Sequence, residues 1–233
     1  MSSRAEVRRE IKAIAKENFK KQWGTSIALL LLVGIIAGAG SIVVWIPVIG
    51  WIASMVVPFL VGMPLAVNAA GLYVKIYKDE KASVDELFSQ FKVRYERKVG
   101  GMAWAALFIW LWSLVGIFTL GIVTIIKGIS YSMVSYILAD CPNVTAKDAL
   151  KLSMRMTQGH KMDLFVMYLS FIGWFLLGGL TLHILTVVFV APYMSTTQAG
   201  FYTKLKAKAI ESGAVSLHEF HPELAGEEAP NAN

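Results

Sequence analysis

Long apolar runs alternate along this chain with short segments that hold almost all of its charge. Crossing about 30 Å of hydrocarbon takes about 20 helical residues. Six runs are of that order, at residues 26–46, 51–73, 102–121, 122–139, 164–180 and 182–198. Turn-like sequence at residues 47–50 separates the first two, and the last four follow as two tight pairs. In lipid each backbone polar group must be satisfied within its own segment, so apolar runs of this length form helices. The expected fold is an all-α membrane protein of six transmembrane helices in three hairpins, with short amphipathic cytoplasmic helices.

The polar segments carry helical patterning of their own. Residues 1–22 place Val7, Ile11, Ile14 and Phe19 near one side and seven basic residues mostly elsewhere. In "KASVDELFSQFKVRYERK", Ser83 followed three residues later by Glu86 is a capping-box pattern, and Leu87, Phe88, Phe91 and Tyr95 recur at helical spacing. In "NVTAKDALKLSMRMTQGHK", Thr145 is the expected N-cap, Asp148 lies in the first turn, and the helix ends near Gly159. Two readings of these three helices stand. Either they lie on the inner leaflet with basic faces toward anionic lipid, or they pack on one another as a small cytoplasmic cap. After Ile210 the tail of segment 206–233 turns acidic and rich in small residues, the composition of a disordered segment.

Composition agrees with a membrane location. With 56% hydrophobic residues, 16% charged residues and a mean hydropathy of +0.57, the chain is too apolar for a soluble domain. Of its 22 Lys and Arg, seven precede Trp23, seven lie in 75–98, four in 147–161 and three in 204–208; the last is Lys127. The turns near Pro47, Gly121 and Gly179 carry no charge. Basic residues in short loops stay inside, so both termini are expected in the cytoplasm and these turns outside the membrane. Charge continues for twenty residues before the first apolar run, unlike a cleaved leader. The implied partners are membrane lipids with anionic headgroups at the cytoplasmic face, other membrane proteins or a second copy, and no nucleic acid.

Candidate chemistry is sparse. Cys141 is the single cysteine, and His218 with His221 lacks a third clear ligand, so neither metal nor cofactor is expected. No Asp or Glu lies inside an expected span, and Asp140 and Asp163 sit at cytoplasmic ends. His160 and Lys161 belong to the loop "QGHKMD"; His160 with Asp163 has the spacing of a general-base pair, but headgroup contact and capping explain the turn as well. The expectation is a protein without enzymatic activity. Pro58, Pro64 and Pro192 interrupt the second and sixth helices, and Asn68 and Gln198 lie toward their inner halves. Broken helices with polar side chains suit a transporter, whereas locally satisfied kinks are the structural alternative. Gly34 with Gly38, Gly128 with Ser132 and Ser135, and Ser170 with Gly173 are expected close-packing positions. The three hairpins show no convincing sequence repeat.

Lys127 carries the single charge between Gly100 and Ala139. It lies five residues inside the outer end of the fourth helix, about 7–8 Å deep at 1.5 Å per residue. Tyr131 and Ser135 follow at i+4 and i+8. Either the lysine stem snorkels to outer headgroups, or its ammonium faces inward to a carbonyl, an aromatic face or an anionic ligand.

From Tyr131 the run "YSMVSYILADCPNVTAKDALKLSMRMTQGHKMDLFVMYLSFIGWFLLGGLTLHI", continuing to "APYMSTTQAGFY", resembles the bacterial membrane family known as domain of unknown function 975. The likeness is specific over 127–202, and the basic N-terminal helix and "LFSQFK" fit the earlier part of the family. Two stretches depart from it: Val123 and Thr124 replace a common Pro-Gly, and "TLHI" with His183 replaces "TLGI". The resemblance implies an integral membrane protein without an established biochemical role. A looser likeness to the membrane-embedded portion attached to some bacterial glycerophosphodiester phosphodiesterases implies a lipid-facing or scaffolding role, and transfers no catalytic residue. The expectation is a non-enzymatic, lipid-associated or accessory membrane component; the alternative is a permease-like transporter or exporter of a small amphiphilic or peptide substrate. Candidate ligand or lipid contacts are Lys127, Tyr131, Ser135, Asn68, Gln198, His160 and Lys161.

Overall fold

The computed structural model describes residues 3–42, 46, 49–119, 121–181 and 183–226, and no strand occurs among them. Twelve α-helices follow in order: α1 (Arg4–Lys21), α2 (Trp23–Ile42), α3 (Ile49–Val57), α4 (Met63–Tyr77), α5 (Val84–Ser89), α6 (Tyr95–Phe118), α7 (Ile122–Tyr131), α8 (Val134–Asp140), α9 (Ala146–Thr157), α10 (Lys161–Leu180), α11 (Ala191–Glu211) and α12 (Leu217–Phe220). Turns of π-helix at Pro58–Gly62 and Thr186–Val190 lead into α4 and α11. Among the described residues, four helices are long and apolar enough to cross a membrane: Gly50–Tyr77, Tyr95–Ile117, Ile122–Asp140 and Lys161–Leu180. A fifth crossing results if α1 and α2, bent by 90°, count as one. The sequence reading expects six; the turn it places at 47–50 lies partly outside the described residues.

The chain divides into two compact units. The first comprises Met1–Lys92 and Met162–Phe201. Ser3 caps α1: the Glu6 N–H donates to Ser3 Oγ at 3.2 Å and the Ser3 N–H to Glu6 Oε2 at 2.7 Å. The apolar side of α1, Ile11, Ala15 and Phe19, is fully buried, and Asn18 Nδ2 donates to the Tyr77 carbonyl at 2.8 Å. Its apolar face is therefore turned to α2, α4 and α11 side chains rather than to headgroups. A Cβ at Gly200 would collide with Tyr77 and Ile11, so this packing needs a glycine there.

The expected capping box at Ser83 is half formed. Ser83 Oγ accepts from the Asp85 N–H at 3.3 Å, while the Glu86 carboxylate pairs with Lys75 instead of reaching back. Helix α5 stops at Ser89, so the expected apolar face does not run on to Tyr95; Leu87 is buried and Phe88 is 47% exposed. Both π turns precede a proline, Pro64 and Pro192. A proline ring clashes with the carbonyl four residues back, and a widened turn moves that carbonyl aside. In them the Met63 N–H donates to the Pro58 carbonyl and the Ala191 N–H to that of Thr186.

The second unit comprises Val93–Lys161 and Tyr202–Asn233. Here α6 packs on α7, α8 and α9, and α9 buries Ala149, Leu150, Leu152 and Met156. Thr145 caps α9 as expected, accepting from the Asp148 N–H at 3.2 Å, and Gly159 follows at φ +80°. The segment after Ile210, expected to lack structure, is folded as far as residue 226. Val215 and Phe220 are fully buried, Arg155 pairs with Glu219, and Asn143 donates to Glu223 at 3.0 Å. Two apolar anchors and an arginine partner outweigh the acidic composition; residues 227–233 lie outside the described residues.

Close packing does not fall on the expected glycines. Among the described residues, a Cβ at Gly34, Gly38, Gly128 or Gly173 would meet nothing within 4 Å. Besides Gly200, tight positions are Gly62 against Ala37, Gly101 against Leu138, Gly116 against Thr124 and Gly178 against Thr186. The last two pairs expose a repeat that the sequence reading missed. "GIFTLGIVT" from Gly116 and "GGLTLHILT" from Gly178 turn their chains through the same bonds. The Gly121 N–H donates to the Gly116 carbonyl at 2.8 Å, and the His183 N–H to that of Gly178 at 2.8 Å. The Thr119 and Thr181 N–H groups donate to the same two carbonyls at 3.1 Å. Gly121 and His183 both sit in the left-handed region, at φ +80° and +64°. At the same offset of 62 residues (178 − 116), Trp112 corresponds to Trp174, Lys127 to Phe189 and Tyr131 to Tyr193.

Candidate functional site

Lys127 lies on α7, half-buried, with Nζ 4.3 Å over the ring of Trp112 on α6. Of the alternatives left by the sequence, an aromatic face is the partner the structure supplies, and the ring quadrupole suits a cation. Tyr131 is buried, its ring 6.3 Å from that of Phe108. Ser135 belongs to α8, beyond a break at Ser132–Met133, so the i+8 relation of a continuous helix does not link it to Lys127. Ser130 and Ser132 loosen the ladder there by donating to the carbonyls of Ile126 and Ile129, both at 2.8 Å.

The break is closed by a residue the sequence gave no reason to choose. Ser153 of α9, fully buried, donates from Oγ to the Ser130 carbonyl at 2.7 Å and accepts from the Met133 N–H at 3.3 Å. One hydroxyl thus satisfies two backbone groups that the interrupted helix leaves unmet. Thr124 donates to the Trp112 carbonyl at 3.1 Å. The hairpin carrying Lys127 is tied on both sides.

Asn68 and Gln198, the polar candidates for transport, both have structural partners in the first unit. Asn68 Nδ2 donates to the Leu87 carbonyl at 2.8 Å, fixing α5, and Gln198 Nε2 donates to the Tyr168 hydroxyl at 2.8 Å. His160 lines a cleft of about 400 Å³ in the second unit with Arg155, Gln158, Lys208 and Glu211. Lys161, beside it in the sequence, opens α10 half-buried. Asp163 accepts from Arg8 Nη1, so its carboxylate is engaged in an ion pair.

A denser polar centre, not foreseen from the sequence, gathers at Asp140. Tyr202 and Lys206, one turn apart on α11, donate to Asp140 Oδ2 at 2.7 and 2.6 Å. Lys206 Nζ also lies 3.3 Å from Cys141 Sγ and 4.9 Å from the Phe220 ring centroid. Burial pushes the Cys141 thiol up to about 11, against the pull of Lys206. A thiol so protonated at neutral pH is a poor nucleophile. Burial, the largest single influence, pulls the Lys206 ammonium down, but its hydrogen bonds and charge attraction to Asp140 and Cys141 together leave it raised. The centre is an ion pair that joins α8 to α11 within the second unit; the i, i+4 spacing of Tyr202 and Lys206 was its one sequence signal.

The family model described as protein of unknown function (DUF975) matches residues 1–125 and 105–209. The chain belongs to this family. No curated protein and no solved structure matches it. In this family member the matched residues include Lys127, Ser153 and the Asp140 centre, while α12 and the segment that binds Arg155 lie beyond the match.

Proposed function

We propose that this protein is a non-catalytic component of the bacterial cytoplasmic membrane that crosses it six times, with both termini inside, and holds anionic phospholipid against its basic inner segments. The observation that carries this reading is the outward placement of large apolar side chains: Trp51 is 71% exposed, Ile117 73%, Leu176 70% and Leu180 83%. Such surface is at home in hydrocarbon. Lys127 apart, the basic residues lie outside the six apolar runs, and Arg4, Arg9, Lys16 and Lys20 of α1 are exposed while its apolar side is buried. Each such cation near an anionic surface contributes roughly 1 kcal/mol.

The test is native mass spectrometry of the protein extracted in mild detergent. Retained anionic phospholipid is expected, and replacing Arg4, Arg9, Lys16 and Lys20 by Glu should remove most of it. Equal retention by that variant would sink the inner-face reading. One feature favours a second reading, a permease-like protein for small amphiphilic or peptide substrates: π turns often mark functional sites, and two of them adjoin Pro64 and Pro192. Substrate movement in proteoliposomes, abolished when either turn is regularised, would favour it.

A further inference from the structure

We propose that Lys127 and Trp112 grip the phosphate of a phospholipid in the outer leaflet. The sidedness of this inference rests on the six-crossing reading; its chemistry stands on the hairpin itself. The Lys127 ammonium contacts the Trp112 ring and, among the described residues, meets no carboxylate and no hydrogen-bond acceptor. An ammonium has three N–H donors, and a ring face attracts its charge from one side only. Leaving the rest unmet among apolar neighbours is costly, so the acceptor comes from outside the chain.

The surroundings select the kind of anion. On the same hairpin Leu111, Val115, Ile122 and Ile126 are exposed, so whatever brings negative charge to Lys127 lies beside an apolar surface. A phosphate with acyl chains attached meets both conditions; a soluble anion meets one. Lys127 is five residues past the start of α7 and Trp112 six before the end of α6, which places both within about 7–9 Å of the turn. Lysine and tryptophan are anchoring residues at that level of a membrane.

The repeat supplies a built-in control. At the position of Lys127 the second copy has Phe189, whose ring centroid lies 5.9 Å from that of Trp174. There the hairpin keeps the aromatic contact without a charge. Lys127→Phe should therefore preserve the packing and remove the ammonium alone.

Full-length protein stripped of lipid by detergent washing is titrated with dioleoylphosphatidylglycerol and read by native mass spectrometry. Wild type and Lys127→Arg are expected to bind one phospholipid that Lys127→Phe binds roughly tenfold more weakly, the loss of one charge-assisted hydrogen bond, at an unchanged unfolding temperature. Lys127→Met, which keeps the stem and drops the charge, should lose the same factor even where Lys127→Phe folds poorly. Inorganic phosphate and glycerol 3-phosphate should not displace the phospholipid; displacement by either overturns the lipid assignment in favour of a soluble phosphate. Equal affinity in wild type, Lys127→Phe and Lys127→Met overturns the grip alone, whereas unchanged retention in the α1 charge-reversal variant overturns only the inner-face reading.

Discussion

Single hydroxyls carry more of this structure than its composition suggests. Ser153 satisfies a carbonyl and an N–H at the α7–α8 break, so Ser153→Ala leaves two buried backbone groups unmet. The expected loss is roughly 2 kcal/mol, a fall of about 4–8 °C in the unfolding temperature measured in detergent. The repeat allows a matched comparison. Thr124 Oγ1 bonds across the hairpin, whereas Thr186 Oγ1, its counterpart, is buried and has no partner among the described residues. Thr124→Val should therefore destabilise by about 1 kcal/mol, and Thr186→Val should be neutral or stabilising, with the same scan as the readout. Nothing in "KLSMRM" distinguishes Ser153 from a helix-surface serine, because its value depends on a break in another helix.

At the scale of elements, equivalence of the two turns is the testable claim. Grafting residues 178–186 in place of 116–124 should leave a folded protein with an unfolding temperature within a few degrees of wild type, since both turns use the same carbonyl and the same left-handed position. A graft that fails to fold would show the likeness to be superficial. The α12 segment gives a second prediction. The bond from Arg155 holds the Glu219 carboxyl below its usual 4.5. A carboxyl depressed on folding stabilises the docked form above that value, and the contribution is lost as pH falls through the folded one. Amide exchange in 215–221, corrected for intrinsic rates, should rise on acidification below about pH 4.5, and Arg155→Ala should show the raised exchange already at pH 7. The sequence displayed α1, and α9 with its Thr145 cap, clearly, because capping and periodicity are local. It misjudged the tail because docking by Phe220 and Glu219 depends on partners that lie far away in the chain.

For the whole molecule the outstanding quantity is topology. In the six-crossing reading the Gly178–Thr181 turn is external, so Gly179→Cys should react with an impermeant thiol reagent on intact cells, while the buried Cys141 does not. Labelling only after lysis would invert the arrangement. Membrane character, family and the exclusion of every charge but Lys127 from the long apolar runs were determined by the sequence itself, since the hydrophobic effect and the positive-inside bias act on composition and order along the chain. The repeat escaped it because apolar helices draw on few residue types; chance likeness in their flanks hides five identities out of nine in the turn, which shared hydrogen bonds make plain. Only the tertiary structure decided that Gly34 and Gly38 pack on nothing close while Gly62 does, and that α1 turns its apolar side to protein. It also gave Lys127 an aromatic face and, among the described residues, no carboxylate. Each of these is a meeting of residues distant in the chain, fixed by distances in space that no local pattern records.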